Sequence, residues 1–129
     1  MRRGEVRWYT FAAPDRRRPV LILTRNSAIP LLNALTVAPL TTTIRSIPTE
    51  VFLGRADGVL ADCAVNLDHL QTVPKAQLGA LITSLSPDRM VEVQAAVHFA
   101  LGFGDNSREP GHTISVHESA AEWFPESDE

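Results

Sequence analysis

Short extended segments fill most of the 129-residue chain, and only one stretch carries a clear helical signature. Alternating or continuously apolar runs predict strands at Gly4–Phe11, Pro19–Thr24, Leu35–Leu40, Pro48–Leu53, Asp62–Leu67 and Gln71–Val73. The segment Gln77–Leu85 is ambiguous between strand and helix, and we favour a strand at Ala80–Leu85. The run from Pro19 has no helical period, which predicts a strand covered on both faces. Many short strands with one closing helix favour a mainly β (α+β) fold, a small, strongly bent sheet or partly open barrel.

The predicted helix begins at Ser86, whose side chain can cap the first turn. Pro87 suits the first helical position because its missing N–H is not needed there, and Asp88 complements the positive end of the helix dipole. Apolar residues then recur at spacings of three or four: Met90, Val93, Val97, Ala100 and Leu101. Gly102 is expected to end the helix.

Composition restricts the class of protein. At 129 residues the chain predicts a single compact domain, and its 44% hydrophobic and 21% charged residues are ordinary for a globular protein. No apolar run approaches the ~18 residues of a membrane span, and no secretory signal precedes the first strand, so we expect a cytoplasmic protein. The single cysteine, Cys63, excludes an internal disulfide and a multi-cysteine metal site, and we expect it to be a small buried hydrophobe.

Charge divides the chain into two parts. Residues 1–104 carry a net charge of +3, whereas residues 105–129 carry −6. The first part is predicted to be the folded domain, and the second an acidic C-terminal tail. Because the tail also contains Trp123 and Phe124, it could lie over a basic groove, but an appendage that only aids solubility is the alternative.

Arginines and threonines are concentrated at the ends of two predicted strands. Arg16, Arg17 and Arg18 directly precede the strand at Pro19, and Thr41, Thr42 and Thr43 follow the strand that ends at Leu40. Guanidinium groups facing a row of hydroxyls can hold a phosphodiester and stabilise charge that develops on it, which predicts a site that handles RNA. The alternative is a solvated group of surface arginines beside ordinary strand threonines.

Five motifs along residues 3–103 resemble, in order and register, those of the MazF/PemK toxins. They are Arg3-Gly4-Glu5-Val6, Arg18-Pro19-Val20-Leu21-Ile22-Leu23, Pro39-Leu40-Thr41-Thr42, the segment 62–72, and Leu85-Ser86-Pro87-Asp88-Arg89-Met90 with Leu101-Gly102 at the helix end. The resemblance implies an SH3-like barrel of the MazF/CcdB type with a C-terminal helix, and a homodimer. It also implies sequence-selective cleavage of single-stranded RNA without a metal or other cofactor, inhibited by a MazE-like antitoxin.

The same resemblance assigns roles to individual residues. Arg18 matches the family's catalytic arginine and Thr41 its catalytic threonine, while Asp68 falls where relatives carry an acidic residue that could act as acid, base or support. The chain departs from common family patterns at Gln71 and Asn66, positions where relatives can carry arginine. The predicted RNA-binding residues are Arg16, Arg17, Thr42, Thr43, Arg45, Asn66, His69 and Gln71.

The chemistry of RNA cleavage fits these roles. The RNA supplies its own nucleophile, the 2′-hydroxyl, so the protein must supply donors for the charge on the phosphorus oxygens and groups that move two protons. We expect Arg18 to stabilise the pentacoordinate phosphate, because an arginine pKa above ~12 does not suit a general base. Thr41 would orient a phosphate oxygen. Trp8 and Phe11 are predicted to be core or dimer-interface residues.

Two other hypotheses are compatible with the sequence. A CcdB-like toxin shares the fold but acts by binding a protein, and a non-catalytic module could use its basic loops to dock an acidic peptide. The Arg18 and Thr41 pair favours cleavage over both.

Overall fold

The computed structural model describes residues 1–12 and 17–103. Arg16 and the predicted tail, 105–129, lie outside these residues. The described part contains β1 (Glu5–Thr10), β2 (Arg17–Ile22), β3 (Ala34–Thr41), β4 (Glu50–Leu53), β5 (Cys63–Asn66), β6 (Gln71–Pro74), β7 (Leu81–Ser84) and α1 (Pro87–Leu101). Short 3₁₀ turns lie at Arg55–Asp57, Leu67–His69 and Lys75–Gln77.

The seven strands form one curled antiparallel sheet. Its order is β4-β5-β3-β2-β1-β7, and β6 pairs with β3 beside this path. Strand β3 is the centre of the fold, because its first half pairs with β6 while its last two residues, Leu40 and Thr41, pair with β5. The sheet therefore bends along β3, which confirms the predicted bent, mainly β architecture with a single C-terminal helix.

Strand β2 separates two hydrophobic clusters. Leu21 packs in one cluster, and its neighbours Val20 and Ile22 pack in the other, since successive strand residues point to opposite faces. All three side chains are fully buried, as the sequence predicted for this strand. The first cluster includes Val93 and Ala96, through which α1 packs against the sheet.

The helix has both predicted ends. The Ser86 hydroxyl oxygen accepts a hydrogen bond from the Arg89 N–H at 3.2 Å, and Pro87 occupies the first helical position. At the other end, the Gly102 N–H donates to the His98 carbonyl at 2.9 Å, with a φ of 77° that glycine adopts without a Cβ penalty. No helix among the described residues is long and apolar enough to cross a membrane.

Strand β2 begins two residues earlier than its sequence predicts. Arg17 and Arg18, expected in the preceding loop, continue the ladder with β1, where they stand opposite Thr10 and Tyr9. Pairing with a neighbouring strand is a non-local effect and outweighs the polar composition of these two residues. The two arginines are therefore fixed on a strand and not on a loop.

Candidate active site

An open cavity of about 420 Å³ lies where β1, β2 and β3 meet the loop that follows β4. Its walls combine apolar side chains, two arginines and two threonines: Trp8, Arg17, Arg18, Pro19, Leu40, Thr41, Thr42, Val59, Leu60, Ala61, Cys63 and Ile82. No carboxylate is among these lining residues. The cavity is therefore cationic and partly apolar, which suits an anionic ligand with an aromatic part.

Two neighbouring strands bring Arg18 and Thr41 to this cavity. The recorded pairing of β2 with β3 ends at Val20 and Pro39, and Arg18 and Thr41 lie two residues beyond that pair on their respective strands. Beyond this pair, β3 continues along β5, its partner on the opposite edge, while β2 continues along β1. Both side chains line the same open cavity, where a ligand can reach them.

The Thr41 hydroxyl is held in one orientation. Its oxygen accepts a hydrogen bond from the Thr43 N–H at 3.0 Å, and the residue is only 7% exposed. A hydroxyl group has one donor and two acceptor lone pairs, so the O–H of Thr41 stays available to donate to an oxygen atom of a ligand.

Arg18 supplies positive charge at the cavity wall. Within residues 1–12 and 17–103, no ion pair or side-chain hydrogen bond is recorded for its guanidinium group, and the side chain is half-buried. A guanidinium group presents five donors in a planar fork that matches a phosphate. The arrangement can therefore bind a phosphodiester and stabilise additional negative charge on its oxygens.

A side-chain clamp fixes the loop that forms the far wall. The Asp57 carboxylate accepts hydrogen bonds from Arg89 Nε at 2.9 Å and from the Gly54 N–H at 2.9 Å, and Thr83 Oγ1 donates to the Asp57 carbonyl at 3.0 Å. The hydrogen bond from Arg89 lowers the pKa of Asp57, and the Asp57 carboxylate in turn raises the pKa of Arg89. The clamp joins the loop that carries Val59 and Leu60 to α1 and β7.

Cys63 lies at the cavity wall but is chemically inert there. The thiol is buried, and this burial, followed by the nearby Asp62 and Asp57 charges, raises the pKa of Cys63. A raised pKa keeps the sulfur protonated and poorly nucleophilic. Cys63 is thus the buried hydrophobe that its sequence context predicted.

The structure brings together only part of the predicted site. Arg17, Arg18, Thr41 and Thr42 line the cavity, and Thr43 contributes the N–H that orients Thr41. The remaining described candidates, Arg45, Asn66, Asp68, His69 and Gln71, are not among the lining residues.

Asn66 has a structural position. It is 5% exposed, and its Oδ1 accepts a hydrogen bond from the Asp68 N–H at 3.0 Å, which caps the turn Leu67–His69. Gln71 opens β6 and pairs with Val37 of β3. The roles of these residues toward RNA stay predictions.

Sequence reasoning missed Trp8 as a site residue. Trp8 belongs to neither hydrophobic cluster and lines the cavity, with the guanidinium carbon of Arg17 4.1 Å from its ring centroid. Phe11, by contrast, packs against the second cluster, and its ring meets Tyr9 edge to face. Strand alternation places these two aromatic residues on opposite faces of β1, but only the pairing of β1 with its neighbours shows which face meets the cavity.

A second open cavity of about 890 Å³ lies between α1 and the segment that connects β2 to β3. Arg25, Asn26 and Leu32 line it on one side, and Met90 and Gln94 on the other. It shares no lining residue with the first cavity. Within the described ranges, no group of three His, Cys, Asp or Glu residues is placed to hold a metal ion.

Comparisons with known proteins agree on one family. Residues 2–101 match the sequence model of the PemK-like, MazF-like toxins of type II toxin-antitoxin systems. The chain is 38% identical over 103 residues to the probable endoribonuclease MazF2 of Mycobacterium tuberculosis, a match that covers 79% of this chain and 99% of the relative.

Solved structures show the same fold. The M. tuberculosis toxin MazF-mt6 aligns with a TM-score of 0.70 at 35% identity, covering 76% of this chain and 96% of the toxin. An endoribonuclease from a mycobacterial species, solved in complex with its cognate antitoxin, aligns with a TM-score of 0.73 at 30% identity, covering 80% and 96%. These likenesses confirm the barrel with a C-terminal helix that the sequence resemblance implied.

Proposed function

We propose, because this chain belongs to the PemK-like, MazF-like toxins of type II toxin-antitoxin systems, that it is an endoribonuclease that cleaves single-stranded RNA at the Arg18 and Thr41 cavity. The relatives' names supply the class of reaction. The observation that carries the assignment to this cavity is the meeting of Arg18 and Thr41 at one cationic wall without a carboxylate. Because its substrate is RNA, the reaction would take place in the cytoplasm.

The proposed reaction uses the 2′-hydroxyl of the RNA as the nucleophile. As the 2′-oxygen gives up its proton and attacks the adjacent phosphorus, the bond from phosphorus to the 5′-oxygen breaks and the 5′-oxygen takes up a proton. The products carry a 2′,3′-cyclic phosphate and a 5′-hydroxyl, so the net proton transfer is from the 2′-oxygen to the 5′-oxygen. Arg18 donates to the non-bridging oxygens, where negative charge grows in the transition state, and Thr41 donates its O–H to the same phosphate. Since neither role needs a Lewis acid, cleavage would proceed without a metal.

Asp68 stays a candidate for acid, base or support in this reaction, although it does not line the cavity. The turn that carries it follows β5, and β5 pairs with Thr41. A supporting role for Asp68 therefore requires the bound RNA to extend from the cavity along β5, and an acid or base role requires Asp68 to come within hydrogen-bond reach of the 2′- or 5′-oxygen of the cleaved bond.

The partners we propose are a MazE-like antitoxin and a second copy of the chain. A cognate antitoxin accompanies the mycobacterial endoribonuclease that this fold resembles. In support of a homodimer, apolar side chains at the end of α1 are largely exposed, among them Phe99 at 55% and Phe103 at 71%. Sedimentation velocity would measure the oligomeric state directly.

Cleavage of a single-stranded RNA in excess chelator tests the proposed function. We expect the wild type to cleave, and Arg18→Ala and Thr41→Ala to lose about 100-fold or more in kcat, the cost of removing one preorganised donor. Arg25→Ala and Thr72→Ala are matched controls with the same chemical changes away from the cavity, and both should cleave like the wild type. A well-folded wild type that leaves RNA intact would favour the protein-binding hypothesis.

A further inference from the structure

The Trp8 ring and the Arg17 guanidinium form a stack at the edge of the cavity. Arg17 is exposed, whereas Trp8 is half-buried, and the 4.1 Å separation places the guanidinium against one side of the indole. Among residues 1–12 and 17–103, Arg17 forms no ion pair, and its guanidinium group contacts the Trp8 ring.

The backbone holds Trp8 rigidly. Its N–H donates to the Ala80 carbonyl at 3.1 Å, and its carbonyl accepts from the Gly79 N–H at 2.7 Å. Both backbone groups of Trp8 therefore point away from β2, where the opposite residue is Pro19, which has no N–H to offer. Opposed residues without mutual hydrogen bonds lie close together, which sets Trp8 beside Pro19.

The same register explains the stack. Arg17 is two residues before Pro19, so it lies on the same face of the sheet as Pro19 and diagonal to Trp8. A long arginine side chain can reach across this diagonal, and the indole then fixes the plane of the guanidinium group. One face of the guanidinium meets Trp8, and the other is available to a ligand because Arg17 is exposed.

The surroundings select the class of ligand. The exposed Leu60 and the half-buried Ile82 line the same cavity, and no acidic residue does. A flat, uncharged aromatic group attached to a phosphate fits such a surface, and unpaired RNA bases stack readily on arginine planes and aromatic rings. An aromatic residue of an acidic peptide is the other ligand with these features, but it lacks the phosphate that suits Arg18.

We propose that Trp8 and Arg17 form a stacking subsite for the unpaired base adjacent to the cleaved phosphate. This inference depends on the proposed function. Arg17 and Arg18 line the same cavity, but only Arg17 lies against the Trp8 ring, so we assign the base to Arg17 and the phosphate to Arg18. Arg17 thus contributes to base binding, and Trp8 positions it.

Single-turnover cleavage of RNAs with one abasic position tests the subsite. The abasic position is moved along the nucleotides that flank the cleaved bond. We expect the wild type to lose about ten-fold to a hundred-fold in kcat/KM at one position, the size of one base-stacking interaction. Trp8→Ala and Arg17→Ala should lose a similar factor on intact RNA and lose nothing more on the abasic RNA.

Two controls separate stacking from damage to the fold. Phe52→Ala removes an exposed aromatic residue that does not line the cavity, and Arg25→Ala removes an exposed arginine of the other cavity. Both variants should lose as much activity as the wild type when the base is removed from the RNA. Trp8→Phe, which keeps an aromatic ring, should show a loss between those of the wild type and Trp8→Ala. An abasic penalty that persists unchanged in Trp8→Ala and Arg17→Ala overturns the inference.

A binding measurement covers the case in which Trp8→Ala does not fold. In a Trp123→Phe chain, Trp8 is the only tryptophan, and its fluorescence is followed as an oligonucleotide with 2′-deoxyribose at the cleaved position is added. We expect a change with the intact oligonucleotide and none with its abasic form. Equal changes would overturn the subsite, whereas a wild type that binds but never cleaves would overturn the proposed function alone.

Discussion

Thr41 shows how one hydrogen bond prepares a side chain for its proposed role. The Thr43 N–H holds the Thr41 oxygen at 3.0 Å, so the hydroxyl meets a substrate already oriented. A donor fixed before the substrate arrives costs no reorganisation as charge develops. Thr41 therefore depends on Thr43 through its backbone and not through the Thr43 side chain.

Substitutions at Thr41 test this dependence. Thr41→Val keeps the shape but removes the hydroxyl, so we expect kcat to fall about 100-fold or more and the free energy of unfolding to fall by about 1 kcal/mol, because the Thr43 N–H loses its acceptor. Thr41→Ser keeps the hydroxyl and should retain most of the activity. Cleavage assays and urea unfolding measure the two effects. A Thr43→Ala chain keeps the N–H that donates to Thr41, so its free energy of unfolding should not show the loss expected for Thr41→Val.

At the scale of elements, the Asp57 and Arg89 clamp joins three parts of the fold. It links the turn Arg55–Asp57 to α1, and Thr83 of β7 reaches the same aspartate through its carbonyl. Gly58 follows directly with a φ of 95°, and a Cβ there would collide with the Thr83 side chain. The loop that walls the cavity thus has little freedom where it leaves the clamp.

The clamp makes stability depend on pH. Because Arg89 lowers the pKa of Asp57 in the folded chain below the value of about 4 expected when unfolded, the stabilisation is complete above that value and disappears as pH falls through the folded pKa. We expect Asp57→Asn to lower the free energy of unfolding by about 1–2 kcal/mol at pH 7 and to flatten its acid dependence. Urea unfolding between pH 7 and 3 checks this. Asp62→Asn, an exposed control in the same loop, should keep the wild-type slope.

Local sequence signals predicted the helix and most strands, whereas pairing between distant segments determined where β2 begins and where Trp8 lies. Ser86 and Gly102 each satisfy backbone groups within a few residues, so sequence alone located both helix ends. The start of β2 at Arg17 and the place of Trp8 at the cavity depend on pairing between β1 and β2, which no local pattern encodes. Arg18 and Thr41 were identified by family motif, and their meeting at one wall required the bend of β3.

At the scale of the whole molecule, charge is distributed unevenly. The +3 of residues 1–104 favours RNA, and the −6 of residues 105–129 opposes it. The match to MazF2 covers 99% of that relative but 79% of this chain, which supports our proposal that residues 1–104 are the endoribonuclease domain and the acidic tail an addition to it.

Deleting residues 105–129 should raise affinity for single-stranded RNA, because the net charge changes from −3 to +3. If charge alone is responsible, a chain with the tail residues in scrambled order should bind like the wild type, and the gain on deletion should shrink as salt rises. If the tail occupies the cavity through Trp123 and Phe124, the scrambled chain should bind like the deletion. Fluorescence anisotropy at two salt concentrations distinguishes these outcomes, and equal affinity of all three chains at low salt would exclude both.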